Sequence, residues 1–118
     1  ITKDKINYSN IYKEFNTQKN MIENLIILCK HYNIKIVLSS FCYYDYNKTF
    51  ESEKIKIGIK HENYIIKQLC KKFKCKFVDQ DVLVDKQDDN FVDSIHFTPT
   101  GMKEIANNFG REIIKDLK

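Results

Sequence analysis

Glycine, proline and arginine are scarce in this chain, and each scarcity excludes something. Its 118 residues hold only Gly58, Gly101 and Gly110, so no glycine-rich loop follows an apolar run, and a flavodoxin-like phosphate- or nucleotide-binding loop is excluded. Arg111 is the one arginine among 20 basic residues, and the lysines are dispersed among 16 acids. The formal charge of +4 therefore reads as solvated surface rather than a nucleic-acid face, and the wealth of Asn and Ile looks like the residue bias of an adenine- and thymine-rich genome. No stretch is long and apolar enough to span a bilayer, and no basic-then-apolar leader precedes the first helix. The cysteines Cys29, Cys42, Cys70 and Cys75 form no CxxC pair. They read as free, buried thiols, which leans toward a reducing, cytoplasmic compartment.

What is present argues for one folded unit. Hydrophobic residues make up 42% and aromatics 13%, enough for a modest core, and at this length residues 1–118 form a single domain at most. Ile1 to Ser9 is polar and lysine-rich and reads as irregular or as an incoming linker. From about Asn10 to Tyr32, Ile11, Phe15, Ile22, Leu25, Ile26 and Cys29 recur on one face and predict a long amphipathic helix, closed by His31-Tyr32-Asn33. Ile34 to Ser40 is a short β-branched run with two apolar faces, the pattern of a buried parallel strand.

The loop from Phe41 to Glu53 leaves the carboxyl end of that strand, the edge at which ligands sit in open α/β sheets. Tyr43, Tyr44, Tyr46 and Phe50 are candidates to line an acyl or sugar pocket, with packing over the sheet edge as the equal alternative. Ser39, Ser40 and Cys42 are conceivable nucleophiles at the same edge. A second helix from about Lys54 to Phe73 carries Ile55, Ile59, Ile66, Leu69, Cys70 and Phe73, with His61 on its charged side facing solvent. Cys75 to Gln80 reads as the second strand. The acids Asp79, Asp81, Asp85, Asp88 and Asp89 lack the spacing of a calcium loop and read as a solvated connector. No metal or organic cofactor is implied. The order helix, strand, helix, strand, helix with right-handed crossovers predicts an α/β fold with parallel strands, part of a doubly wound three-layer αβα sandwich.

The chemistry concentrates in Phe91 to Ala106, FVDSIHFTPTGMKEIA. Thr98 caps a helix, Pro99 fits its first turn, and Met102, Ile105, Ala106, Phe109, Ile113 and Leu117 follow at helical spacing. Asp93 and His96 stand three residues apart in the loop before it. Through a tight turn the carboxylate accepts the Nδ1 proton of the imidazole and leaves Nε2 as a general base. The bland alternative is that Asp93 caps a turn and His96 packs beside Phe97.

Asp93, His96 and Gly101, with the flanking aromatic, Val, Phe-Thr-Pro and closing helix, resemble the last sequence block of the SGNH hydrolases, also called GDSL-type esterases and lipases. The resemblance implies the flavodoxin-like αβα fold of that family, with Asp93 as orienting acid and His96 as general base of a serine triad. It implies an acyl ester, a lipid or an O-acetylated sugar as substrate. The family's Gly-Asp-Ser motif and its oxyanion Gly and Asn blocks do not occur in this sequence, so the resemblance covers the C-terminal part of the family's domain only. The chain, starting at Ile1, is expected to be a fragment whose N-terminal half supplies the nucleophile. Alone it is expected to be marginal, to self-associate or to need that half. The runner-up is a non-catalytic remnant or interaction module that keeps the fold.

Overall fold

The computed structural model describes residues 8–46 and 50–117, with side chains from residue 16 onward except at 50. Helix α1 spans Tyr8–His31 and strand β1 Val37–Ser39; α2 spans Phe50–Phe73 and β2 Lys76–Val78. A short helix α3, Gln80–Leu83, and a 3-10 turn, Asp88–Asn90, lead to the closing helix α4, Pro99–Asp116. The fold is α/β, with helices around a small parallel sheet: β1 pairs with β2 in the register Val37 with Lys76, Leu38 with Phe77 and Ser39 with Val78. Ser40 N–H extends the ladder by donating to the Val78 carbonyl at 3.1 Å.

Both long helices end by the same device, which sets the angle at which the chain enters each strand. Asn33 (φ 57°) and Lys74 (φ 55°) take the left-handed conformation. The next amide then turns back into the last turn, Ile34 N–H to the Cys29 carbonyl at 2.8 Å and Cys75 N–H to the Cys70 carbonyl at 2.9 Å. Lys74 adopts this conformation at a cost of roughly 1–2 kcal/mol that glycine would avoid.

Packing follows the expected apolar faces in part. Ile26 of α1 is fully buried against α2, whose Ile66, Leu69 and Cys70 are buried with it. Leu25, expected on the same face of α1, is 48% exposed, because the contact of α1 with α2 covers a narrow stripe of the helix. The side chains of Ile11 and Phe15 lie outside the described residues. Along β2 the residues alternate: Lys76 pairs with Glu112 and Asp116 of α4, whereas Phe77 lines an open hollow on the other side together with Asn63, Tyr64 and Lys67 of α2.

Several boundaries differ from the sequence reading, each for a physical reason. Tyr8 and Ser9, expected to be irregular, belong to α1; residues 1–7 lie outside the described residues. The strands are shorter than expected because each is a strand only where the other pairs with it. Helix α2 begins at Phe50, with Glu51 and Glu53 in its first turn where the helix dipole favours carboxylates. The acidic run is not a plain solvated connector, since it contributes to α3 and the 3-10 turn. Its carboxylates also act as acceptors: Asp79 for the Ser40 hydroxyl at 2.8 Å, Asp81 for the Tyr43 amide at 2.9 Å, and Asp88 for the Tyr44 hydroxyl. His61 is half-buried in α2 rather than turned to solvent.

Candidate active site

The segment between the 3-10 turn and α4 is folded by its own backbone. Phe91 and Phe97 form an antiparallel bridge, Val92 N–H donates to the His96 carbonyl at 2.9 Å, and Thr98 N–H donates to the Asn90 carbonyl at 3.0 Å. Thr98 caps α4, its hydroxyl oxygen accepting from Gly101 N–H at 3.1 Å while the hydroxyl donates to the Asp89 carbonyl. Pro99 opens the helix. Gly101 is required by contact rather than by backbone angle: a Cβ there would stand 2.2 Å from the Asn90 carbonyl oxygen. The helix therefore approaches the turn closely enough to close the loop.

At its tip the loop brings Asp93 and His96 together. Asp93 Oδ1 accepts from the amides of Ile95 at 2.9 Å and His96 at 2.8 Å, and Oδ2 meets His96 Nδ1 at 2.7 Å. The two backbone amides and the imidazole hold the Asp93 carboxyl down at about 2, with the Ile95 amide the largest influence. Both side chains face water, 51% exposed for Asp93 and 70% for His96, so their order comes from this convergence of donors rather than from burial. Nδ1 is committed to Asp93, and Nε2 has no hydrogen-bond partner among the described residues. The carboxylate thus sets the tautomer and leaves Nε2 to take a proton.

The residues named at the carboxyl end of β1, Ser39, Ser40 and Cys42, line one groove but differ in the state of their side chains. Ser40 is buried and its hydroxyl is occupied twice, donating to Asp79 and accepting from Asp81 N–H at 2.9 Å. Cys42 is buried and burial pushes its thiol up to about 11, the opposite of an activated nucleophile. Ser39 lines a groove of about 490 Å³ beside β1, together with Ile55, Ile59 and Glu62 of α2 and Ile95 of the Asp93–His96 loop. The Glu62 carboxyl is raised by burial, and its Oε1 is buried without a partner among the described residues.

None of the three candidate tyrosines lines that groove. Tyr43 is 8% exposed, Tyr44 stacks on Phe91 with ring centroids 4.9 Å apart, and Tyr46 is 45% exposed with its ring edge-on to Tyr44. Phe50, the fourth candidate named for that pocket, has its side chain outside the described residues. Among the described residues no group of three His, Cys, Asp or Glu side chains is arranged to hold a metal ion.

Two polar residues that sequence reasoning did not single out, buried Asn90 and half-buried Glu104, support the loop. Asn90, 1% exposed, donates from Nδ2 to the Asp85 carbonyl at 2.9 Å and to Glu104 Oε2 at 2.7 Å, while its own carbonyl receives Thr98. Glu104 also accepts from Asp85 N–H at 3.0 Å, so one carboxylate of α4 staples the approach to the loop. The glycine three residues after Thr98 was the signal at hand, since it marks a close approach without saying to what.

A crystal structure from Bacteroides fragilis, of a protein described as a putative acylhydrolase, has a similar fold, with a TM-score of 0.69 and 20% sequence identity. The similarity covers 87% of this chain and 53% of that one, so the chain spans about half the length of its structural neighbour. At this identity the match speaks for the fold. No family model matches the chain, and no curated protein does. Among the described residues no helix is long and apolar enough to cross a membrane.

Proposed function

We propose that this chain is the acid–base portion of a serine-dependent acyl-ester hydrolase of the SGNH type, the C-terminal part of a three-layer αβα domain. The observation that carries the proposal is the Asp93 carboxylate, which binds His96 Nδ1 at 2.7 Å while its other oxygen takes two backbone amides. That arrangement fixes the imidazole before substrate arrives. The alternation of β2 between α4 and α2 supports a layered sheet, and the neighbour's fold supports a hydrolase scaffold.

In this mechanism a serine from outside residues 1–118 attacks the ester carbonyl as His96 Nε2 removes its hydroxyl proton. Asp93 stabilises the imidazolium, which returns the proton to the departing alkoxide; a water molecule then releases the acyl group by the same exchange. The substrate is a small acyl ester or an acylated sugar. Tyr43, Tyr44 and Tyr46 belong to the loop at the same end of the sheet, and of these Tyr46 has the exposed surface to offer a substrate. The decisive experiment is nitrophenyl-ester turnover by the full-length protein. His96→Ala lowers kcat by about 10³-fold or more and Asp93→Asn lowers it strongly through the wrong tautomer. Normal turnover in His96→Ala ends the triad assignment.

A second reading, a non-catalytic remnant, is favoured by one observation: Ser40 and Cys42 are engaged or buried and in no state to act as nucleophiles. An in-frame coding sequence upstream without a Gly-Asp-Ser segment, together with no labelling by a fluorophosphonate probe, selects it over the hydrolase.

A further inference from the structure

We propose that Tyr44 is a positioning residue for His96, tying the loop after β1 to the loop that carries the imidazole; the proposal rests on the hydrolase reading above. Tyr44 makes three separate attachments to the segment 88–97. Its backbone N–H donates to the carbonyl of Ser94 at 2.9 Å, between Asp93 and His96 in the chain. Its ring stacks on Phe91, 4.9 Å between centroids and 27° between planes, and Phe91 is itself the bridge partner of Phe97. Its hydroxyl donates to Asp88 in the 3-10 turn that leads into the loop. One residue thus holds the tip, the base and the approach of a loop whose own catalytic side chains are solvated.

These attachments differ in strength. Phe91 is 2% exposed and packs in a buried cluster with Cys42 and Val84, so the ring contact is set in the core. The bond to Asp88 lies at the surface and is screened by water. Of the two side-chain attachments the stack therefore does most of the holding, and removing it leaves the loop on the backbone bond to Ser94 and lets Nε2 drift relative to the nucleophile. A displacement of about 1 Å at a reacting group is enough to lower turnover by up to about 10²-fold.

The test uses the full-length protein with nitrogen-15-labelled histidine, reading the Nδ1 proton resonance of His96 together with ester kinetics. Tyr44→Ala is expected to broaden or abolish the Nδ1 proton signal and to lower kcat about tenfold or more, with KM within about twofold. Tyr44→Phe, which keeps the ring and loses only the hydroxyl, restores the signal and most of kcat. Should Tyr44→Ala not fold, Tyr44→Leu, which keeps apolar bulk without the stack, is read in its place. A raised KM with an unchanged Nδ1 signal makes Tyr44 a substrate contact and overturns the proposal, as does an unchanged kcat. Turnover surviving His96→Ala defeats the hydrolase reading instead, while the Nδ1 signal still reports whether Tyr44 places His96.

Discussion

Two neighbouring regions at the carboxyl end of the sheet are built on opposite terms. The Asp93–Thr98 loop is exposed yet locally finished, with the Asp93 carboxylate meeting three donors and α4 seated on the Asn90 carbonyl. The groove beside β1 is apolar yet uncovered: Phe41 is 51% exposed, Ile55 42% and Ile95 38%, and Glu62 Oε1 is buried with no partner among the described residues. Within the loop the hydrogen bonds join residues close in sequence, as from the His96 amide to Asp93 and from Asn90 to Glu104, and the Tyr44 amide adds a bond to Ser94 from across the fold. The groove holds apolar surface that water solvates poorly and that the proposed N-terminal part of the domain would cover.

The sharpest way to break this contrast is at Gly101. Gly101→Ala forces a methyl group against backbone at 2.2 Å, and is expected to cost about 3 kcal/mol or more in a denaturant titration of the full-length protein. A cost under about 1 kcal/mol would show that the turn yields and that the loop is not built on the contact. The groove is tested by Ile55→Ala. If the rest of the domain covers it, the substitution costs about 2 kcal/mol in the full-length protein. If Ile55 stays as exposed there as it is here, the cost falls within about 0.5 kcal/mol of zero.

The smallest effect is a titration. Asp93 has its carboxyl lowered from 3.8 to about 2, so its ionised form favours the closed loop at pH values above its ordinary range. That contribution fades as the pH falls below 3.8 and is lost on passing through about 2. The amide proton shifts of Ile95 and His96 are expected to titrate together near the lower value. A midpoint at the ordinary carboxylate value would mean the three-donor convergence does not persist in solution.

Much of the chain was legible from spacing. The repeats from Ile22 to Cys29 and from Ile55 to Phe73 gave the two long helices, and Thr98-Pro99 gave the start of α4 to the residue. The Asp93–His96 contact was also legible, since a tight loop of that separation turns both side chains the same way. What could not be read was which partners the loops would find. Asp81 takes the Tyr43 amide across 38 residues, and Asn63 clamps Phe41 through both its N–H at 2.7 Å and its carbonyl at 2.8 Å across 22. Neither acid nor amide announces such a partner locally. The exposure of Leu25 was equally hidden, because an apolar face says that a helix seeks cover, not how much it receives.

By itself the sequence determined the α/β alternation, the capped closing helix and an acid held next to an imidazole, all set by contacts within a few residues. Only the tertiary structure decided that Gly101 lies against Asn90, that Glu104 staples the turn and that Tyr44 grips the His96 loop. These join residues that are not neighbours in sequence, Asn90 with Glu104 across 14 residues and Tyr44 with Ser94 across the fold. Their energies depend on distance in space, which residue order alone does not encode.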